Sequence, residues 1–426
     1  MAGPVFEAAR EYAEAMTARD PLAGYRERFH IPRAPDGNDC VYLCGHSLGL
    51  QPKTVRANVE QELKDWEQLG VEAHFHAQHP WMPYHRFLTE QTARVIGTKP
   101  EEVVVMNSLT LNLHLMMVSF YRPSAGRHRI LIEANAFPSD QYAVRSQIRF
   151  RGFDPASSLL ELRPRAGEVQ LRDEDIFSLI EREGQSIALI MLGGVNYFSG
   201  QAFDLAAITK AGHAQGCVVG FDLAHAAGNI LLNLHDWDAD FAVWCTYKYL
   251  NGGPGCVGGC FVHERHAREW DLPRFAGWWG HDEQSRFRMR PDFVPMKGAE
   301  GWQLSNPSIL TMAALRASLD IFNEVGMQRL REKSISLTGY LEFLLNQRPS
   351  SRFTIVTPHE PERRGAQLSL QIGEGAGVVQ QKLAAAGVLC DLREPDILRA
   401  APVPLYNTYE DVYRFAERFL VTLEDR

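Results

Sequence analysis

Lys248 stands where a lysine side chain can do covalent chemistry. It follows the apolar stretch Phe241–Cys245, which is typical of a buried strand, and it precedes the glycine-rich turn Asn251–Gly255. A charged lysine at the end of a buried strand costs free energy unless its charge is paired or neutralised. A neutral lysine is a nucleophile that forms Schiff bases, and glycines let the backbone approach a ligand closely. We therefore expect Lys248 to react with a carbonyl group.

Asp222 occupies a similar position one strand earlier. It ends the apolar stretch Val218–Asp222 and is followed by Leu223–Gly228. Ligands of open α/β sheets bind outside the carboxyl ends of the strands, so Asp222 and Lys248 can face one site at the same sheet edge. Taken alone, Asp222 would more simply cap a helix or form a salt bridge.

The turn Asn107–Thr110 lies between the strand-like stretch Val103–Met106 and a helical pattern that reaches Phe120. Its hydroxyl groups can cap the helix, or the turn can bind an anion at the positive end of the helix dipole. Together, a Schiff-base lysine, an acid and a phosphate site meet the needs of pyridoxal 5′-phosphate (PLP). The lysine holds its aldehyde, the acid keeps its ring nitrogen protonated, and the helix end binds its phosphate.

Short apolar stretches alternate with amphipathic helices from about residue 103, which favours a mostly parallel, doubly wound sheet. The predicted strands are Val103–Met106, Ile130–Ile132, Ile187–Leu192, Val218–Asp222, Phe241–Cys245 and Cys260–His263. The predicted helices between them include Leu109–Phe120, Asp173–Arg182 and Asp204–Ala214.

The two ends of the chain have a different pattern. A long helix at Met327–Leu345 precedes strands near Gln367–Ile372 and Val388–Leu392 and a closing helix at Tyr409–Glu424. We interpret this as a smaller α+β domain that also takes the N-terminal helix, predicted from Val5 to about Ala18. The expected division is therefore 1–60 with the small domain, 61–320 as the large PLP-binding domain, and 321–426 as the C-terminal small domain.

Between these regions we predict a helix and then a loop. The helix runs from Thr54 to Leu69, and its apolar residues recur at the spacing of one helix face. Residues 71–86 are polar, rich in histidine and interrupted by proline, so we expect a loop. The apolar residues of that helix are Val55, Val59, Leu63 and Trp66.

Composition excludes several classes of protein. The chain has 426 residues, which is too long for a single hydrophobic core. Hydrophobic residues make up 45% and charged residues 23%, the balance of a globular protein. The net charge of −8 offers no electrostatic footprint for nucleic acid or anionic lipid, and no apolar stretch approaches the roughly 20 residues of a membrane span. We expect no nucleic-acid or membrane partner.

The 7 cysteines are scattered, which is typical of free thiols in a reducing compartment. As zinc sites, the C-x-x-x-C pairs Cys40/Cys44 and Cys256/Cys260 would each need two more ligands, and Cys256 and Cys260 lie in a glycine-rich, strand-like stretch. We therefore interpret them as core residues and expect no metal site. The N-terminal residues include acids where a signal peptide has a basic start and an apolar core. We expect a cytoplasmic protein.

Motifs along nearly the whole chain carry a specific resemblance. In order they are Gly45–Leu50, Met106–His114, Phe137–Asp140, Phe221–His225, Cys245–Asn251, Gly277–His281, Ser305–Pro307 and Arg399–Asn407. With this order and spacing, the chain resembles the kynureninase family, in the class V branch of the aspartate-aminotransferase superfamily. The resemblance implies an α/β PLP fold: a large domain with a mostly parallel, seven-stranded sheet and a smaller α+β domain built from the chain termini.

The resemblance also implies roles for individual residues. Lys248 would bond covalently to the PLP aldehyde and later move protons, and Asp222 would pair with the ring nitrogen, with His225 beside it. Tyr247 would contact the phosphate and serve as an acid. The other implied cofactor contacts are Leu109, Thr110, Phe137 (stacked on the ring), Pro138, Ser139, Asp140 and Gly193, with Trp278 and Asn306 reaching the phosphate from a partner subunit.

The implied reaction is the hydrolysis of L-kynurenine to anthranilate and L-alanine, or of its 3-hydroxy form to 3-hydroxyanthranilate and L-alanine, in tryptophan degradation and NAD biosynthesis. Arg399 would bind the substrate's α-carboxylate, a bidentate task that suits a guanidinium group. His74, Ser305 and Asn306 would face the aromatic end. Sharing of sites between subunits implies a homodimer. The family often has a hydroxyl residue at the position of Gly193, so a contact there would come from the backbone.

Other functions remain open at this point. Another class V PLP enzyme, a cysteine desulfurase or an aminotransferase, would keep the lysine and the acid, although no isolated cysteine lies in an obvious mobile loop. A regulator built on the cofactor fold would need an additional docking segment. A dinucleotide-binding oxidoreductase also fits strand–helix alternation, but the chain has no G-x-G-x-x-G between an early strand and a helix.

Overall fold

The computed structural model describes residues 6–134, 136–267, 269, 271–348 and 351–424. The chain divides into two compact units. The terminal unit comprises Met1–Thr54, Val195–Ala202 and Val325–Arg426, and the central unit comprises Val55–Gly194 and Phe203–Glu324. The short segment Val195–Ala202 therefore belongs to the terminal unit, although it lies inside the range 61–320 that the sequence assigns to the large domain.

The strands are short, and most match apolar stretches. They are β1 (Val41–Tyr42), β2 (Val103–Met106), β3 (Arg129–Glu133), β4 (Leu159–Leu162), β5 (Ile187–Gly193), β6 (Val218–Asp222), β7 (Phe241–Cys245), β8 (Gly258–Val262), β9 (Thr354–Ile355), β10 (Leu368–Gln371), β11 (Val388–Leu389), β12 (Asp391–Arg393) and β13 (Ile397–Ala400).

The α-helices fill most of the connections. They are α1 (Arg10–Arg19), α2 (Val55–Leu69), α3 (Ala73–His76), α4 (Thr89–Ile96), α5 (Leu109–Phe120), α6 (Pro138–Phe150), α7 (Pro155–Ser158), α8 (Asp173–Glu183), α9 (Leu205–Ala214), α10 (Ile309–Val325), α11 (Met327–Asn346), α12 (Ala376–Ala385) and α13 (Tyr409–Glu424). Among the described residues, no helix is long and apolar enough to cross a bilayer.

The central unit is built on a 7-stranded sheet with the order β2-β8-β7-β6-β5-β3-β4. Strands β7, β6, β5, β3 and β4 run parallel to one another, and β8 runs antiparallel to both β7 and β2. Every residue of β2, β7 and β8 is buried, as expected for a sheet with helices on both faces. The predicted mostly parallel sheet of seven strands is confirmed.

The terminal unit has a 4-stranded antiparallel sheet in the order β12-β13-β10-β9 and a parallel pair of β1 with β11. Helices α1, α11, α12 and α13 cover a core that includes Leu337, Tyr340, Leu368 and Phe415. Predicted strand Val388–Leu392 is in fact two short strands with different partners, because Cys390 separates β11 from β12.

The predicted helix at Thr54–Leu69 is present as α2, but its buried side differs from its apolar face, and the predicted loop at 71–86 is wrong. The apolar residues Leu63 and Trp66 of α2 are 43% and 60% exposed, while Glu62 of the same helix is fully buried. Glu62 is buried because Trp81 and Tyr84 donate hydrogen bonds to its carboxylate. The predicted loop at 71–86 contains helix α3 and helical turns at Gly70–Glu72 and Tyr84–Leu88.

Candidate active site

The candidate site lies at the carboxyl ends of the parallel strands in the central unit. Strand β6 ends at Asp222, which is paired in register with Gly193 at the end of β5 and with Val243 in β7. Lys248 follows the end of β7. Because parallel strands end at one edge, Asp222 and Lys248 meet in the position where α/β folds bind ligands.

The Lys248 amine is held by two neighbours in the central unit. Its Nζ lies 3.0 Å from Nε2 of His225 and 5.7 Å from the centre of the Phe137 ring. His225 is buried, whereas Phe137 is 43% exposed. The imidazole fixes the amine in place, and the exposed ring leaves an aromatic face at the same site.

Asp222 and Asp140 form a pair of hydrogen-bonded carboxyl groups. Burial raises the pKa of Asp222, although Asp140, the Lys248 charge and the Ala224 N–H, 2.7 Å from Oδ1, act in the opposite direction. Burial also raises the pKa of Asp140 well above its usual value, and the charges of Asp222 and Glu133 add to that rise. The pair therefore shares a proton, which Asp140 retains and donates to Asp222.

Glu133 is a site residue that sequence reasoning missed. It ends β3, is 4% exposed, and its Oε1 accepts a 2.7 Å hydrogen bond from the Gly193 N–H. The backbone N–H of Gly193 is thus engaged by a carboxylate. The available signal was the same as for Asp222, an acid at the end of an apolar strand, but the predicted strand stopped at Ile132.

Two helix N-termini meet beside these carboxyl groups. Helix α5 begins at Leu109 and α6 begins at Pro138. The hydroxyls of Thr110 and Ser139 lie 2.9 Å apart. A Cβ on Gly258 would come within 2.8 Å of the Trp244 carbonyl oxygen and 3.2 Å of the Leu109 nitrogen, so a glycine lets β8 pack closely against β7 and the start of α5. Free N–H groups with hydroxyls at a helix start are suited to a phosphate.

Tyr247 precedes Lys248 and is half-buried. Burial raises the pKa of its phenol, and the thiol of Cys245, which shares a hydrogen bond with Tyr247, raises it further. The phenol is therefore neutral over the physiological range and can hold a proton for donation.

Trp278, Ser305 and Asn306 are exposed and lie on two segments of the central unit whose backbones are hydrogen-bonded. The Trp279 N–H donates to the Leu304 carbonyl at 3.1 Å, which aligns the segments that carry these side chains. Trp278 also packs edge-on against Phe287 at 5.8 Å. Such exposed side chains suit contact with a second subunit.

His74 and Arg399 have contacts elsewhere. In the described part of the chain, His74 Nδ1 lies 3.0 Å from the Val71 carbonyl, and its ring packs on Trp81 at 5.4 Å. Arg399 is 1% exposed in β13 of the terminal unit, where it pairs with Asp391. The roles that the sequence assigns to these side chains stay predictions.

The residues of the central unit fit PLP. A lysine amine, a buried carboxyl pair, an aromatic face and a helix start with hydroxyls correspond to its aldehyde, ring nitrogen, ring and phosphate. These groups come from the ends of different strands and helices, and each has the chemistry that its part of the cofactor needs.

The fold is that of class V PLP-dependent enzymes, as the sequence predicts. Solved structures with this fold include a C-DES variant with glycine covalently linked to the PLP cofactor, with a TM-score of 0.77, 17% identity and coverage of 92% of this chain and 98% of that one. Another is the apo cysteine desulfurase of Thermococcus onnurineus NA1, with a TM-score of 0.76, 16% identity and coverage of 93% and 99%. At these identities the likeness concerns the fold alone.

Relatives in sequence are much more similar. A kynureninase from Koribacter versatilis is 71% identical over 99% of this chain and 100% of its own length, and one from Myxococcus xanthus is 60% identical over 97% of each. Residues 330–419 match the family model of the kynureninase C-terminal domain. The chain belongs to the kynureninase family, PLP-dependent hydrolases that cleave a carbon–carbon bond. The predicted family, enzyme class and cofactor are confirmed, and the desulfurase alternative is not favoured.

Proposed function

We propose that this chain hydrolyses L-kynurenine to anthranilate and L-alanine, and 3-hydroxy-L-kynurenine to 3-hydroxyanthranilate and L-alanine, in tryptophan degradation and NAD biosynthesis. The observation that carries this proposal is the Lys248 amine, 3.0 Å from His225 and beside the buried Asp222–Asp140 pair, in a chain of the kynureninase family.

PLP, when bound, supplies an aldehyde that bonds to amines and a ring that withdraws electrons from the carbon next to the amine. Lys248 takes the proton from the substrate's α-carbon and returns protons later, because a released amine beside that carbon is a base. His225 keeps the amine within reach. Phe137 supports the ring face.

The Asp222–Asp140 pair controls the protonation of the PLP ring nitrogen. When PLP is bound, Asp222 would pair with that nitrogen and stabilise its protonated form, and Asp140 supplies the hydrogen bond that holds Asp222 in orientation. Glu133 fixes the neighbouring Gly193 backbone. Leu109 and Thr110 would hold the phosphate through the start of α5, with Pro138 and Ser139 at the start of α6 beside it.

Hydrolysis requires water and an acid. The oxygen of water adds to the γ-carbonyl carbon, the Cβ–Cγ bond breaks, and its electron pair stays with Cβ. Cβ then takes up a proton and becomes the alanine methyl group, while the aromatic product leaves as a carboxylate. Tyr247, with its neutral phenol, is the acid for this stage.

Further residues complete the proposed site. Arg399 binds the α-carboxylate, and His74, Ser305 and Asn306 face the aromatic end. Trp278 and Asn306 reach the phosphate of a partner subunit, so the active unit is a homodimer with shared sites. The exposure of Trp278 and Asn306 in a single chain supports this assignment.

The free thiols of all the cysteines support a cytoplasmic location.

Substrate profiling of the holoenzyme tests the reaction. L-Kynurenine, 3-hydroxy-L-kynurenine, L-cysteine and an amino-acid/keto-acid pair are compared, with Lys248→Ala as the control. We expect turnover of the kynurenines and no turnover by the control. Preferred turnover of cysteine or of the keto-acid pair, or wild-type activity of Lys248→Ala, would contradict the proposal.

Mixed dimers test the shared sites. Lys248→Ala and Trp278→Ala/Asn306→Ala are each expected to be inactive, and a mixture refolded or coexpressed together to recover about a quarter of wild-type activity, since about half the dimers carry one intact site. A mixture as inactive as its components would exclude sharing across subunits.

A further inference from the structure

Asp391 and Arg399 are cross-strand neighbours in the terminal unit. They face each other in the antiparallel register of β12 and β13. Arg399 Nε donates to Asp391 Oδ1 at 3.3 Å and Nη2 donates to Oδ2 at 2.7 Å, so the carboxylate engages one whole edge of the guanidinium.

A third bond fixes the other end of the same group. Arg399 Nη1 donates to the Tyr197 carbonyl at 2.7 Å. Tyr197 lies in Val195–Ala202, the segment that joins the terminal unit from the middle of the chain. With bonds on two sides, the plane of the guanidinium is set by the protein before any ligand arrives.

The charges around Asp391 leave a positive surplus. Arg393 Nη2 also donates to Asp391 Oδ2, at 3.0 Å, so two guanidinium groups share one carboxylate. The side chain of Arg399 is 1% exposed and that of Asp391 is 12% exposed. The neighbouring His46 is buried, with Nε2 3.9 Å from Asp391. A ligand with one carboxylate would balance the surplus charge of the two arginines.

We infer that Asp391 is a positioning residue for recognition of the substrate's α-carboxylate, acting through Arg399. This inference rests on the carboxylate-binding role proposed for Arg399. Buried ion pairs contribute little net stability compared with apolar residues of similar size, whereas a pre-oriented guanidinium loses less side-chain freedom when it binds a carboxylate. Asp391 therefore selects for ligands that carry the carboxylate and does not act on bond cleavage.

The test compares Asp391→Asn with Arg399→Lys and a matched control, Asp396→Asn. Asp396 lies between β12 and β13, and its carboxylate accepts only from the exposed Gln371 amide among the described side-chain bonds. The readouts on holoenzyme are kcat and KM for L-kynurenine, the inhibition constant of its decarboxylated amine, and the thermal midpoint. The amine lacks the carboxylate, so it reports on the rest of the site.

We expect Asp391→Asn to raise KM for L-kynurenine about tenfold or more. Its kcat should stay within about threefold, and the inhibition constant of the amine should not change. Asp396→Asn should behave as the wild type. Asp391→Glu keeps the charge, so its KM should rise less than that of Asp391→Asn. It is the variant to measure if Asp391→Asn does not fold.

Other outcomes are separable. If Asp391→Asn leaves KM unchanged while Arg399→Lys raises it, the positioning role is wrong and the proposed function stands. If KM and the inhibition constant rise in parallel, Asp391 is a structural residue and the inference is overturned. If Arg399→Lys also leaves KM unchanged, the carboxylate role of Arg399 falls, and the inference falls with it.

Discussion

Asp222 and Asp240 are two aspartates buried in one sheet, at opposite ends of its parallel strands. The pKa values of their carboxyl groups are shifted in opposite directions. Asp222 ends β6 and Asp240 precedes β7, and they are 7% and 4% exposed. Burial raises the pKa of Asp222. The same burial acts on Asp240, but its hydrogen bonds and neighbouring charges outweigh it and lower the pKa far below the usual value. Burial alone therefore does not decide ionisation.

The difference lies in the number of donors. Asp240 accepts from His213 at 2.9 Å, His266 at 2.8 Å, Arg265 at 2.6 Å and the Val219 N–H at 2.7 Å. Asp222 accepts from one backbone N–H, and its other neighbours are the carboxyl of Asp140 and the Lys248 charge. At the amino ends of the strands the surroundings stabilise the charge of Asp240. At the carboxyl ends they retain a proton on the Asp222–Asp140 pair, which a reaction can use.

Glu102 extends the pattern at the amino edge. Its carboxylate lies with His235 and His263 in a group whose ligand-type atoms are within 4.8 Å of one another. The Glu102 carboxylate is already hydrogen-bonded within the protein, to the Glu264 N–H at 2.7 Å and to His235 Nδ1 at 3.0 Å. We interpret this group as a set of hydrogen bonds that stabilises the fold.

Among the substitutions that test this comparison, Asp222→Asn has the largest expected effect on activity. An amide cannot balance the protonated ring nitrogen, so kcat should fall about 1000-fold or more. A raised carboxyl pKa means that its stabilising contribution is present below the unfolded pKa and lost as pH rises. The cofactor-free variant should therefore unfold no more easily than the wild type at pH 7, as measured by urea titration. If Asp222→Asn lowered the free energy of unfolding and left kcat normal, Asp222 would be a structural residue, which contradicts this account.

Asp240→Asn should do the opposite. Loss of the charge removes the buried carboxylate that His213, His266 and Arg265 share, and the free energy of unfolding at neutral pH should fall by about 3 kcal/mol. Because the folded pKa is lowered, this stability is present above the unfolded pKa and is lost as the pH falls towards the folded value. The two proteins should converge in acid. A difference that grows in acid, or a lost kcat in folded enzyme, would contradict the assignment.

Thr110→Val tests whether the hydroxyl at the start of α5 serves the ligand. Removing one hydrogen bond to a charged group should raise the dissociation constant of PLP about tenfold. The thermal midpoint of the cofactor-free protein should hardly change. Thr422→Val, at an exposed site on α13, is the control. Equal cofactor affinity in both variants would remove Thr110 from the phosphate site.

Asp140→Asn sharpens the comparison with the smallest expected effect. The amide imitates the protonated carboxyl, so kcat at the pH optimum should stay within about threefold. In the wild type, Asp140 loses its proton as pH rises through its raised pKa. The variant should therefore keep its activity at alkaline pH where the wild type declines. Superimposable pH profiles of kcat/KM would show that Asp140 does not hold the proton.

Local patterns predicted much of the central sheet. Strands β2, β6 and β7 and helix α5 have the predicted bounds, because each apolar stretch is bounded by polar or glycine residues. The buried face of α2 could not be predicted in this way. Glu62 is buried through bonds to Trp81 and Tyr84, which follow the helix in the chain, and helix periodicity carries no information on such partners.

The candidate site shows the same division. Lys248 and Asp222 could be selected because strand ends at a parallel sheet edge converge. The contact of Asp140 with Asp222 depends on where the start of α6 lies relative to the end of β6, and no spacing in the sequence encodes it. The Asp391–Arg399 pair requires the register of β12 with β13, whereas the sequence pattern merged β12 with β11.

Borohydride reduction of the PLP-loaded protein, followed by peptide mass mapping, tests the central claim most directly. We predict that the reduced cofactor is found on Lys248, in the peptide that contains Tyr247 and Tyr249, and that Lys248→Ala carries no label. A label on another lysine, or an unlabelled protein, would contradict the account.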